Sequence, residues 1–452
     1  MKTLRTVFAS LAALALAAAC TQEETGNPAF GEKKTPYIYM DWASSYVYKV
    51  GDTLRFTAQV SPLQGTSTRW LVGGTQVSDG LSIEYPVESD QGFTLRFEAE
   101  RNGILNYRTA EVAIQKDFVP KEYTRKVMSV LTTGGNADMV QWDCTTHLMY
   151  TSLTVSEDGH LTLPDAAALA SFKTIVSLAH NNGVYVIADV TGGITMPAGT
   201  GWYNAATFQG VLCDPALTAV LAADIRKFVD DYDIDGINLY LNELNNDAGA
   251  LADHDLLRAG YNAVGKALPV STDRGAFTFT ASVPMAWNNY EFYFLGNVER
   301  LDWINILLFG GTDLSPVDYA PNWQIHSNLQ NFNNAAGFPY GKIMVGVGAF
   351  GIRYSIPEGV SPTWGNLDSF LSYPLYSEIV KLDPDAPSKS YLDNNGNLYY
   401  TGAFGADVTS VESKAAIVKD YGAAGLFIWC VDYDTRDAAS SLTRSAWNQL
   451  NP

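Results

Sequence analysis

The segment Tyr232–Glu243 reads YDIDGINLYLNE and predicts a strand with polar side chains at alternating positions. Successive side chains of a strand point to opposite faces, so Asn238, Tyr240 and Asn242 share one face. Amide and phenol groups donate and accept hydrogen bonds, but an amide has no proton that titrates near neutral pH. This face can therefore hold a polar ligand, and it lacks the carboxylic acid that general acid catalysis would use.

Two acidic side chains lie close to this face in the sequence. Strand alternation turns Glu243 to the opposite side from Asn242. A β-bulge before Glu243 would turn its carboxylate back toward the ligand, because bulges re-aim side chains at barrel rims. The second acid is Asp189, at the end of another apolar strand, where a structural hydrogen-bonding role is favoured. The sequence leaves Glu243 open as a proton donor.

Eight apolar strand patterns follow Arg125 and alternate with helical patterns, which is typical of βα units and a parallel sheet. They read VMSVLT, HLMYTSLTV, VYVIADV, GINLYL, FTFTASV, WINILLF, IMVGVGAF and GLFIWCV. Eight such units in roughly 330 residues predict an α/β fold of the (β/α)8 TIM barrel type over 125–452, with its site at the C-terminal strand ends. Gly134 and Gly135 lack the spacing of a dinucleotide-binding loop, so no cofactor is predicted.

Residues 36–116 have a different pattern of six or seven short alternating strands separated by turn signals. This spacing predicts a small all-β, immunoglobulin-like antiparallel sandwich. Trp42 and Trp70 are predicted to belong to its core. The segment resembles PKD-like modules, for which a spacer role is favoured, and a second sugar-binding face stays open as the alternative.

The N-terminus predicts export. Lys2 and Arg5 precede a short apolar run, and Ala17-Ala18-Ala19 stands directly before Cys20. A basic region followed by a short apolar region is typical of a secretory signal. The alanines and Cys20 resemble a bacterial lipobox, which implies lipidation of Cys20. We therefore predict a signal peptide at 1–20, a tether at 21–35 and attachment to the extracellular face of a bacterial outer membrane. A plain signal peptide cleaved near Ala19 is the alternative.

The charge of the chain bears on its partners. It has 48 acidic and 29 basic residues, a formal net charge of −19. Such a surface repels phosphate groups, so neither nucleic acid nor an anionic lipid surface is an expected partner, apart from contact through the lipid anchor. Cys144, Cys213 and Cys430 form no C-x-x-C pattern or Cys/His cluster, so no metal site is predicted.

The segment around Asp235-Gly236 resembles the active-site strand of the family 18 glycoside hydrolases, written D-G-x-D-x-D-x-E. In this alignment Asn238, Tyr240 and Asn242 replace the family's Asp, Asp and Glu. The sixth and eighth strands are similar too. Phe309 stands where the family has a Tyr that contacts the substrate's N-acetyl group, and Trp429 matches the floor of the sugar-binding cleft.

The resemblance implies a ligand that contains N-acetylglucosamine. Family members let the substrate's acetamide attack the anomeric carbon, while the Glu protonates the leaving oxygen. With these groups replaced, the sequence favours binding without turnover. Aromatic rings pack on pyranose faces, and amides bond to hydroxyls. The predicted glycan-binding residues are Trp429, Tyr240, Asn238, Asn242, Phe309, Asn305, Trp287, Trp142 and Asp189.

Three hypotheses of function follow from these patterns. The favoured one is a lipoprotein that captures oligosaccharides or glycoprotein glycans containing N-acetylglucosamine, in association with other surface glycan-uptake proteins. The second is an active chitinase or endo-β-N-acetylglucosaminidase that uses Glu243 or another acid. The third is a scaffold of a surface uptake complex whose barrel binds no sugar.

Overall fold

The computed structural model describes residues 35–40, 42–43, 45–191, 205–241, 253–283, 289–307, 322–355, 369–372, 374–382, 391–392, 397–401 and 408–452. The chain divides into two compact units, Met1–Lys116 and Asp117–Pro452. The predicted segments at 1–20 and 21–35, with Cys20, lie outside the described residues except for residue 35.

The described part of the first unit consists of β-strands joined by short turns. The strands are β1 (Tyr37–Tyr39), β2 (Ser45–Lys49), β3 (Thr53–Thr57), β4 (Gln59–Ser61), β5 (Ser67–Val72), β6 (Thr75–Asp79), β7 (Ser82–Pro86), β8 (Phe93–Arg101) and β9 (Ile104–Gln115). They form a five-stranded sheet in the order β2-β9-β8-β5-β6 and two pairs, β1-β4 and β3-β7.

Apolar side chains from these sheets share one core, as the predicted sandwich requires. Trp70 is fully buried, and its ring centroid lies 4.7 Å from that of Phe97. Trp42 packs at the edge of the same cluster, so the prediction that both tryptophans are core residues is confirmed. One pairing differs from the predicted antiparallel pattern, because β2 runs parallel to β9.

The second unit alternates strands with helices. Its strands are β10 (Lys126–Leu131), β11 (His147–Val155), β12 (Leu161–Thr162), β13 (Tyr185–Thr191), β14 (Gly236–Tyr240), β15 (Ser271–Thr272), β16 (Gly275–Ala276), β17 (Thr278–Val283), β18 (Trp303–Ile306), β19 (Ile343–Gly348), β20 (Gly351–Ser355), β21 (Ser369–Ser372), β22 (Tyr391–Leu392), β23 (Asn397–Thr401) and β24 (Gly425–Trp429). Its helices are α1 (Ala166–Asn181), α2 (Ala205–Cys213), α3 (Pro215–Tyr232), α4 (His254–Ala267), α5 (Asn322–Ala336), α6 (Tyr376–Leu382), α7 (Val408–Tyr421) and α8 (Leu442–Leu450).

Eight parallel strands close into a barrel. Their order is β10-β24-β19-β18-β17-β14-β13-β11, and pairing of β10 with β11 completes the ring. Each corresponds to one of the eight apolar patterns in the sequence, so the predicted α/β barrel after an all-β unit is confirmed. None of the described helices alone is long and apolar enough for a membrane span, although the bent pair Thr207–Cys213 and Pro215–Tyr232 meets that test together.

Acidic caps fix where several barrel helices begin. Asp165 accepts a hydrogen bond from the backbone N–H of Ala168 at the start of α1, and Asp253 caps α4 in the same manner. Asp214 caps α3, which has Pro215 in its first turn. A side chain that accepts from these otherwise unpaired N–H groups stabilises a helix by about 1 kcal/mol.

The segment after β19 forms a separate small sheet. Its strands follow the order β21-β20-β23-β22, and all of its pairs are antiparallel. This sheet lies between the seventh and eighth barrel strands in the sequence, and residues 356–368, 373, 383–390, 393–396 and 402–407 of that segment lie outside the described residues.

Candidate functional site

The barrel interior has a polar wall formed by β13, β14, β17 and β18. In the strand register Asp189 pairs with Asn238, Asn238 with Thr280, and Ser282 with Asn305. Paired residues of neighbouring strands lie on the same face, so these five side chains point into the barrel together. All five are buried to within 2% of complete burial.

Asn238 is the centre of this polar wall. Its Nδ2 donates to Asp189 Oδ1 at 2.6 Å and to Ser282 Oγ at 2.9 Å. Its Oδ1 accepts from Thr280 Oγ1 at 2.7 Å and from Asn305 Nδ2 at 3.1 Å. An amide offers two donor hydrogens and two acceptor lone pairs, so the hydrogen-bonding capacity of Asn238 is taken up within the chain.

Asn305 continues the network toward the base of the barrel. Its Oδ1 accepts from Trp303 Nε1 at 3.0 Å, and its Nδ2 also lies 3.4 Å from Ser282 Oγ. Both predicted glycan-binding amides, Asn238 and Asn305, therefore lie in a fully buried layer and bond to other side chains. Direct contact with a glycan stays a prediction for them.

Asp189 is the one acidic residue within the eight barrel strands. It is completely buried, and its Oδ2 has no hydrogen-bond partner among the described residues. Burial raises the pKa of Asp189 to about 7, although the hydrogen bond from Asn238 lowers it. Because water is excluded, the neutral acid is favoured up to neutral pH.

Two aromatic rings lie at the C-terminal ends of their strands, nearer the barrel mouth. Tyr240 ends β14 and Trp429 ends β24, and their ring centroids lie 6.3 Å apart at 71°. Tyr240 is 1% exposed and Trp429 4%. Burial, and then the nearby Asp189, raise the pKa of Tyr240 well above its ordinary value, so the phenol stays neutral.

The wall opposite the polar network is apolar. Register pairs join Met128 to Phe427 and Val130 to Trp429, and they join Gly346 and Gly348 of β19 to the same two β24 residues. The glycines leave space beside the rings because they have no side chain. The interior therefore has aromatic and apolar side chains on one side and, on the other, polar side chains that bond to one another.

A second carboxylate, which the sequence reasoning missed, lies beyond the strand ends. Thr132 Oγ1 donates to Asp432 Oδ2 at 2.8 Å, and Thr132 follows β10 while Asp432 follows β24. Burial raises the pKa of Asp432, against hydrogen bonds from Thr132 that lower it. A Cβ on Gly135 would lie 2.7 Å from Asp432 Oδ2, so glycine is required for this close approach.

Five of the predicted site residues remain to be located. Asn242, Glu243, Trp287 and Phe309 lie outside the described residues. Trp142 is half-buried in a 3-10 turn that leads into the N-terminal end of β11, whereas Tyr240 and Trp429 end their strands.

Trp323 is a further aromatic residue that the sequence reasoning missed. It is 58% exposed in the first turn of α5. The C-terminal end of α5 leads toward the start of β19, where Lys342 Nζ donates to Leu301 O at 2.9 Å. The opposite end of α5 therefore lies at the C-terminal side of the strands, where barrel sites are found. The signal available in the sequence was a Trp at the start of the helix that follows the sixth strand.

An eight-stranded parallel barrel with helices between its strands is a TIM barrel, a class of fold whose sites lie at the C-terminal ends of the strands. The model of Glycosyl hydrolases family 18 matches residues 122–434. The chain belongs to this family.

Solved structures agree on the fold. A chitinase from Bacteroides thetaiotaomicron has 19% identity and a TM-score of 0.55, and the match covers 72% of this chain and 96% of that one. A class V chitinase mutant from Nicotiana tobaccum in complex with NAG4 has 16% identity and a TM-score of 0.57, over 72% and 99%. The chitinase-like agglutinin RobpsCRA from Robinia pseudoacacia has 17% identity and a TM-score of 0.55, also over 72% and 99%. Comparison with curated proteins found no match.

Proposed function

We propose that this chain is a glycan-binding protein that captures N-acetylglucosamine-containing glycans at the mouth of its barrel without hydrolysing them. The observation that carries the proposal is Tyr240, which faces Trp429 at 6.3 Å where the family motif has a carboxylate. Aromatic rings pack on the apolar faces of pyranose rings, so this uncharged pair suits a neutral sugar. On this proposal, the side chains that cover the pair move aside when a glycan enters.

Hydrolysis needs a proton donor beside the leaving oxygen of the substrate. A general acid must lie within hydrogen-bond reach of the leaving oxygen, about 3 Å away or one water further. Asp189 is completely buried and bonded to Asn238, so a sugar at the strand ends does not reach it. Asn238 and Tyr240, at two of the motif's carboxylate positions, offer an amide and a neutral phenol.

The type of ligand is inferred from the family. The Nicotiana tobaccum chitinase mutant is in complex with NAG4, and the Robinia pseudoacacia protein is a chitinase-like agglutinin. These neighbours support an oligosaccharide of N-acetylglucosamine as the ligand. They also support a binding role without turnover, because the same fold occurs in a protein described as an agglutinin.

Replacing Trp429 with Ala is expected to weaken binding of NAG4 by about five- to tenfold, since an aromatic contact contributes about 1 to 1.4 kcal/mol. Trp429→Phe keeps a ring and is expected to retain most of the affinity. Trp142→Ala is the matched control, because Trp142 lies in the turn before β11, and it should bind as the wild type does. Isothermal titration calorimetry, with circular dichroism to check folding, measures this.

Hydrolysis is the second candidate, and family membership and Asp432 favour it. Asp432 follows the last barrel strand, and burial raises its pKa, as a general acid requires. The test is the release of reducing ends from NAG4. If this release occurs and disappears in Asp432→Asn or Glu243→Gln, the chain is a hydrolase and the binding proposal is wrong. Neither binding nor release would favour the scaffold.

We also propose that the chain is a lipoprotein on the outer face of a bacterial outer membrane. The support is the basic start, the apolar run and the alanines directly before Cys20. Cys20→Ser is expected to move the protein from the membrane fraction to the soluble fraction of the producing cell. Surface exposure is tested by adding protease to intact cells. A Cys20→Ser protein that stays with the membrane would contradict the anchor.

A further inference from the structure

We propose that the first unit carries a second glycan-binding site on the outward face of the β1–β4 pair. The site consists of Tyr37 and Tyr39 of β1 with Gln59 and Ser61 of β4, and we name it the tyrosine platform. The choice of glycan as ligand rests on the proposed function. The geometry of the platform does not depend on the barrel.

The register of the pair places these four side chains on one face. Tyr37 is opposite Ser61, and Tyr39 is opposite Gln59. Ile38, between the two tyrosines, is 6% exposed and belongs to the core of the unit. Because side chains alternate along a strand, the neighbours of Ile38 and their cross-strand partners face away from that core.

The two rings form an open surface on an anchored strand. Tyr37 is 57% exposed and Tyr39 55%, and their centroids lie 6.4 Å apart with 31° between the ring planes. The start of β1 is held by a hydrogen bond of 2.8 Å from Asn106 Nδ2 to the carbonyl of Pro36. A backbone held in this way needs little ordering when a ligand binds.

The chemistry of the tyrosine platform suits a neutral sugar chain. None of its four side chains carries a charge, although the net charge of the chain is −19. Aromatic faces pack on the apolar faces of pyranose rings, and the adjacent amide and hydroxyl bond to sugar hydroxyls. Rings at this spacing can contact neighbouring sugars of one oligosaccharide. Exposed tyrosines lose little conformational entropy on binding, because they have two side-chain torsions.

The test uses the full chain and a chitin resin as the probe. The Tyr37→Ala/Tyr39→Ala variant, made in the Trp429→Ala background, is expected to lose at least about tenfold of its retention on the resin relative to Trp429→Ala alone. The matched control is Leu105→Ala/Tyr107→Ala in the same background. It removes two exposed side chains, 40% and 48% exposed, that are also two positions apart on a strand. The control should retain the parent's binding.

The outcomes of this test distinguish the tyrosine platform from the site in the barrel. Equal retention by the platform variant and its parent would overturn the tyrosine platform and leave the barrel proposal intact. If Trp429→Ala alone changes nothing while the platform variant loses binding, the barrel proposal fails and the platform stands. If the platform variant keeps its retention but loses self-association on size-exclusion chromatography, the occupant is a second copy of the chain, and the glycan assignment is wrong.

Discussion

The Asp189→Asn variant is expected to be more stable than the wild type at pH 8 and about equally stable at pH 4. Burial raises the pKa of Asp189 to about 7 in the folded chain, whereas an exposed Asp titrates near pH 3.9. Between these values the folded state keeps a proton that the unfolded state has released, so wild-type stability falls as the pH rises. An Asn does not titrate, so the variant is free of this loss.

The difference in the free energy of unfolding should grow by about 1.4 kcal/mol per pH unit and reach about 4 kcal/mol above pH 7. Chemical denaturation at pH 4, 6 and 8 measures it. Asp255→Asn is the control, because Asp255 has 81% of its side chain exposed. It should change the free energy of unfolding by less than about 1 kcal/mol at each pH. A constant difference between Asp189→Asn and the wild type would show that Asp189 is charged throughout this range.

The variant Asn238→Asp tests the contact between Asp189 and Asn238. Asn238→Asp places two carboxyl groups 2.6 Å apart, where both cannot ionise cheaply, so it should be less stable than the wild type at pH 8. The exchange Asp189→Asn/Asn238→Asp again has one carboxyl and one amide and is expected to be close to the wild type. If the loss of unfolding free energy in the exchange variant equals the sum of the losses in the two single variants, the two groups do not interact.

The barrel could be predicted from the sequence because parallel strands are buried on both faces. Patterns such as VYVIADV and GLFIWCV are continuous apolar runs, and each of the eight gives a barrel strand within three residues of the predicted bounds. Tyr240 and Trp429 could be placed at strand ends for the same reason. Their contact across the barrel, between strands that are not neighbours, follows from closure of the sheet.

The polar wall was less predictable. The sequence predicts Asn238 and Asn305 as ligand-binding residues, because amide side chains suit sugar hydroxyls. No local sequence pattern shows which side chains fill the interior of a barrel. In the structure, Thr280 and Ser282 of β17 lie beside them and satisfy their hydrogen bonds. Such pairings join strands distant in sequence, and only the register of the closed sheet fixes them. The parallel pairing of β2 with β9 was not predicted for the same reason, because these strands are distant in sequence.

The start of the family motif is retained at Asp235-Gly236, and the structure gives both residues packing roles. A Cβ on Gly236 would lie 2.9 Å from the carbonyl oxygen of Thr278, so β14 and β17 approach each other only with glycine here. Asp235 is 1% exposed at the opposite end of β14 from Tyr240. These two residues of the motif thus support the fold.

Asp235 has a dense set of partners in that position. Its Oδ2 lies 2.8 Å from His180 Nε2 and accepts from the backbone N–H of Val186, while its Oδ1 accepts from Arg274 Nε at 2.5 Å. Burial raises the pKa of Asp235, but the contacts with His180 and Arg274 outweigh it and lower the pKa below its usual value. A buried carboxylate of this kind stays charged because every partner is a donor.

Asp235→Asn is therefore expected to lower the free energy of unfolding by about 3 kcal/mol at pH 7, because it removes the buried one of the two carboxylates that pair with the largely buried Arg274 and leaves only the exposed Asp233. Asp233→Asn makes the same chemical change on the same Arg274, but the Asp233 side chain is 72% exposed. It should cost less than about 1 kcal/mol. Denaturation of both variants measures the contrast, and equal losses would contradict the role of burial. The pKa of Asp235 is lower in the folded chain than the value near 3.9 of the unfolded chain, so its charge stabilises the fold above that value. This contribution to the free energy of unfolding disappears as the pH falls through the folded pKa. The stabilities of the two variants should therefore converge in strong acid.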